Sequence, residues 1–70
     1  MTKAQLLHAL RRINLNDEVV FSSFSGYVGD ALVEWEPRHA FVVTGAKGLV
    51  LVLAEDDAVA GEYPDAENAL

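Results

Sequence analysis

The run Gly48-Leu49-Val50-Leu51-Val52-Leu53-Ala54 carries no polar side chain at any position, and no other feature restricts the fold as much. It falls far short of the roughly 20 apolar residues that cross a membrane. With no polar alternation, it reads as a strand covered on both faces. The rest of the chain must therefore supply its neighbours and a helix to cover one face, while the other face holds water, the end of the chain or another chain. That is a heavy demand on 70 residues, near the lower limit for a self-standing core. There is no cysteine, so neither a disulfide nor a thiolate metal site staples the chain. Its apolar fraction of 51% is high for so small a body, which favours a dimer or an apolar patch that faces a partner.

The clearest local signal lies at the start. Thr2 followed by Gln5 fits a capping box, and Met1 and Leu6 stand at hydrophobic-staple positions. Leu6, Leu7, Leu10 and Ile13 mark one apolar helical face. Arg11 and Arg12 suit the helix C-terminus, and Asn14 suits a left-handed stop. His8 is expected to face water. Strand patterns follow. Glu18–Phe24 is rich in Val and Phe, and Gly26-Tyr27-Val28-Gly29-Asp30 reads as a loop closing a hairpin. In Ala31–Glu36, Ala31, Val33 and Trp35 share one face, with Trp35 expected under the helix. Leu32, Glu34 and Glu36 share the other face. After the Pro37-Arg38 turn comes His39–Thr44, and Gly45-Ala46-Lys47-Gly48 turns into the apolar run. The expected architecture is α+β: an N-terminal helix packed on a four-stranded, mainly antiparallel meander over residues 1–54. Residues 55–70 form an acidic tail with short helical turns at Ala58-Val59-Ala60 and Pro64–Ala69, fraying beyond Tyr63.

Charge is divided as sharply as hydropathy. Before residue 55 the acids Asp17, Glu18, Asp30, Glu34 and Glu36 balance Lys3, Arg11, Arg12, Arg38 and Lys47. Glu55, Asp56, Asp57, Glu62, Asp65 and Glu67 then follow without a base and supply the whole net charge of −6. Such a balance repels nucleic acid and anionic lipid. The start has no signal-peptide run, so the expected compartment is the cytoplasm.

Motifs for chemistry are weak by comparison. Gly45-Ala46-Lys47-Gly48 has neither the spacing nor the following helix of a phosphate loop, and a hairpin turn explains it. Glu34 and Glu36 on one strand imply no cleft for acid–base work. With His39 they would make a metal set lacking a second nearby histidine. Ser22, Ser23 and Ser25 sit in no nucleophile motif. No enzyme and no cofactor are expected.

The opening Thr2-Lys3-Ala4-Gln5-Leu6-Leu7-His8-Ala9-Leu10, followed by Asn16-Asp17-Glu18-Val19-Val20-Phe21, resembles the start of small acidic phage and prophage α+β proteins. The loop Gly26-Tyr27-Val28-Gly29-Asp30 fits the same layout. That group includes anti-CRISPR inhibitors, many of which occupy nucleic-acid-binding surfaces. The resemblance implies a non-enzymatic inhibitor of a host defence complex and transfers no named functional residue. It agrees with the charge distribution, in which carboxylates imitate phosphates on a basic protein surface. The expected contact residues are Tyr27, Asp30, Glu34 and Glu36 on the body, and Glu55, Asp56, Asp57, Glu62, Asp65 and Glu67 on the tail. The alternative is a phage structural or assembly protein that forms a homodimer through an exposed sheet face.

Overall fold

The computed structural model describes residues 1–22, 27–28, 31–32 and 37–70, without the side chains of Tyr27, Val28, Ala31, Leu32 and Val59. Its elements are α1 (Lys3–Leu10), β1 (Glu18–Ser22), β2 (Tyr27–Val28), β3 (Ala31–Leu32), β4 (His39–Gly45), β5 (Gly48–Ala54), α2 (Ala58–Glu62) and β6 (Glu67–Asn68). The fold is α+β, with one N-terminal helix and a four-stranded mixed sheet.

The capping box closes as its spacing predicts. Gln5 N–H donates to Thr2 Oγ1 at 3.2 Å, and Thr2 N–H donates to Gln5 Oε1 at 2.9 Å. The helix runs out through tighter turns, with Arg12 N–H on Ala9 O and Ile13 N–H on Leu10 O. Asn14 does not take the left-handed stop, since no described non-glycine residue has a positive φ. Its N–H instead donates to Asp17 Oδ2 at 2.8 Å, and Asp17 N–H returns to Asn14 O. That carboxylate makes the turn into β1.

The apolar run is the central strand β5, as its composition requires. β4 pairs with it antiparallel from His39↔Ala54 to Gly45↔Gly48. On its other side β1 lies parallel, from Glu18↔Val50 to Ser22↔Ala54. The strand order is β1-β5-β4-β6, so the expected meander is corrected to a mixed sheet. Of the expected Ala31–Glu36 strand, Ala31 and Leu32 pair with Val28 and Tyr27 in a separate two-stranded sheet, and residues 33–36 lie outside the described residues. The fourth strand of the main sheet comes from the tail. Phe41↔Asn68 and Val42↔Glu67 pair antiparallel, and Ala69 N–H donates to Ala40 O at 2.8 Å. Beyond Tyr63 the chain is therefore bound into the sheet, where fraying was expected. The second expected helical turn is replaced by a turn and this strand. The first is present as α2.

Alternation divides the core between the two faces of β4 and β5. Ala40, Val42, Leu51 and Leu53 face α1, meeting Ala9 and Ala69, with Met1, Leu6, Leu10 and Ile13 packed around them. Phe41, Val43, Val52 and Ala54 form a second cluster on the other face, flanked by Val50 and Ala66. Three small residues of the helix-side cluster, Ala9, Ala40 and Ala69, are fully buried. Leu7, expected on the buried face, is 46% exposed. The buried stripe runs instead through Leu6, Ala9, Leu10 and Ile13.

Candidate functional site

The tail acids do not share one environment. Asp65 reaches the edge of β4, where its Oδ2 accepts from Thr44 N–H at 3.0 Å. That bond, followed by one from the Thr44 hydroxyl, favours the ionised carboxylate and lowers its pKa below the ordinary aspartate value. Glu67 pairs through Oε2 with Arg12 Nη2 at 3.0 Å, joining β6 to the end of α1. Asp56 Oδ1 accepts from Ala58 N–H at 2.9 Å, an Asx-type turn that leads into α2. Glu55 is half-buried beside the end of β5, whereas Asp57 and Glu62 are exposed. So Asp65 and Glu67 hold the tail on the body, Asp56 orders a turn within it, and Asp57 and Glu62 present charge outward.

The body candidates fall differently. Tyr27 belongs to β2. Asp30, Glu34 and Glu36 lie outside the described residues, as do Phe24 and Trp35. His39 stacks on Phe41, with ring centroids 6.1 Å apart and planes 8° apart. Among the described residues no group of three metal-ligating side chains comes together. His8 is exposed, as its helical position predicts.

The structure adds a feature not foreseen from the sequence. An eight-residue helix is about 12 Å long and 10 Å wide, narrower than a four-stranded sheet. Because α1 sits over β4 and β5, the helix itself leaves the β1 side of that face uncovered. An apolar groove of about 360 Å³ results, with Val19, Phe21 and Leu53 as its floor and Leu6 and Leu10 as its helical wall. Met1 and Pro37 line it as well, and Lys3 stands on its rim. Phe21 is 67% exposed and Val19 39%. The signal that could have found the groove is the mismatch between a short helix and a wide sheet.

A smaller depression, of about 300 Å³, lies at the opposite end of β5, between its turn and the start of β1. Asp17, Glu18 and Lys47 line it with Gly45 and Gly48. The Asp17 carboxylate is already engaged by Asn14 N–H. Among the described residues no helix is long and apolar enough to cross a membrane. No family model matches the chain, no curated protein matches it, and no solved structure matches its fold.

Proposed function

We propose that this chain is a non-enzymatic inhibitor, acting in the cytoplasm of a phage's host. It binds a basic, nucleic-acid-binding surface of a defence complex, with anti-CRISPR activity as the specific form. The observation that carries the reading is an acidic segment without a single base, fastened to a sheet edge by Asp65 and Glu67. A mimic of phosphates needs carboxylates at fixed positions, because ordering a loose tail on binding would offset the attraction it gains. Asp57 and Glu62 face outward from that fastened segment. Asp30, Glu34, Glu36 and Tyr27 are proposed to extend the contact on the body.

The test is capture of nucleic-acid-binding proteins from a phage host's lysate by the immobilised chain. The captured protein should leave at high salt, and it should be displaced by competing DNA. An Asp57→Asn, Glu62→Gln variant should hold it at least about tenfold more weakly. Capture that survives both the salt and the variant would overturn the mimicry reading. A second reading, a structural or assembly homodimer, draws support from the apolar exposure of Val19, Val20 and Phe21 on β1.

A further inference from the structure

The geometry points to a self-complementary chain: the α1–β1 groove of one copy receives Glu62-Tyr63-Pro64 of a second copy. Copies would then join head to tail. The inference does not depend on the reading above.

The groove's chemistry defines its occupant. Among the described residues its floor and walls are apolar, and Lys3 is the one charged residue that lines it. The helix that walls it belongs to a stretch, residues 1–16, with three cations and no acid. Arg12 is engaged by Glu67 across the body. Lys3 and Arg11 are exposed and have no carboxylate partner among the described residues. Leu7 and the C-cap Arg11 follow Lys3 at i+4 and i+8 on the neighbouring helix stripe, outside the lining of the groove. A fitting occupant offers an apolar anchor beside a carboxylate and brings no cation.

This chain contains such a segment. Tyr63 is 45% exposed, directly follows the exposed Glu62, and precedes an exposed Pro64. Residues 55–70 bring no base to the contact. A tyrosine adds a large apolar area at low cost in rotamer entropy and is favoured as an interface anchor. The same segment cannot fill its own groove. It leads into β6 at one edge of the sheet, while the groove lies over β1 at the other, with β5 and β4 between. The donor must be another molecule. Since donor and acceptor surfaces differ, the contact is heterologous and open-ended rather than two-fold.

Two variants test this by sedimentation velocity over a concentration series at low and high salt. Lys3→Glu with Val19→Gln disables the groove, and an acid in the first turn of α1 suits the helix dipole. Glu62→Lys with Tyr63→Ser disables the donor. All four positions are exposed, and circular dichroism verifies that each variant keeps the native fold. Should either double variant unfold, Lys3→Glu or Glu62→Lys alone replaces it. The unsubstituted chain should associate with rising concentration, and salt should weaken that association. Each variant alone should remain monomeric where the parent associates, a loss of at least about tenfold in affinity. Mixed together, they should form a one-to-one heterodimer and nothing larger, because one intact donor then meets one intact groove. A parent that stays monomeric would overturn the inference, as would a mixture that stays monomeric. So would a variant that still dimerises alone, the mark of a two-fold contact elsewhere. If a monomeric parent still captures a basic partner, only this inference is lost.

Discussion

At the scale of single residues, two positions carry more than their composition suggests. Gly48 opens β5 with φ +145°, and a Cβ there would lie 2.8 Å from Asp17 Oδ1. Both backbone and neighbour exclude a side chain, and the neighbour is the carboxylate that builds the α1–β1 turn. Gly48→Ala should destabilise the fold by about 1–3 kcal/mol in chemical denaturation. Asp65 is the second position. Its ionised form is favoured in the fold by Thr44, so its contribution is complete above the ordinary aspartate range. It fades as pH falls through the lowered folded value. The stability difference between the parent and Asp65→Asn should therefore be constant near neutrality and shrink toward zero in acid. A difference that persists unchanged in acid would assign it to something other than the carboxylate.

At the scale of elements, what could be read in advance is what depends on near neighbours. The α1 cap needs only Thr2 and Gln5, and β5 announces its central place by being apolar throughout. The β4–β5 turn needs only its glycines. The parallel pairing of β1 with β5 was hidden because no local pattern distinguishes a parallel neighbour from an antiparallel one. β6 was hidden more thoroughly, since Glu67-Asn68 has poor strand propensity and is held by tertiary partners: Val42, Phe41 and Arg12. Of the proposed contact residues, Asp65 and Glu67 looked like the rest of the acidic run, and only their distant partners separate them. Removing Leu51, fully buried where α1 meets β5, should cost about 2–5 kcal/mol as Leu51→Ala. Arg12→Ala should cost less than about 1 kcal/mol, because the ion pair with Glu67 is 41% and 71% exposed on its two sides. Thermal melts of both variants give the comparison, and the wrong order would mean that the latch, not the core, holds α1.

At the scale of the molecule, charge and hydropathy are arranged across the sheet. The apolar groove and Lys3 lie toward the β1 side, and Asp65 and Glu67 lie toward β6. Glu62 belongs to both proposed contacts, so a basic partner and a second copy would compete for it. The strand order has a further consequence, for the route by which the chain folds. In a meander each strand would meet the one just made, but here β1 must wait for β5, which follows it by most of the chain's middle. Closing that loop costs entropy before any pairing repays it. The β4–β5 hairpin, joined by a tight turn, is the natural nucleus, with β1 added late. Substitutions at Gly45 or Val43 should then slow refolding. Val20→Ala in β1 should chiefly speed unfolding, as stopped-flow kinetics in denaturant would reveal. Until that late step, a newly made chain exposes one side of its most apolar strand.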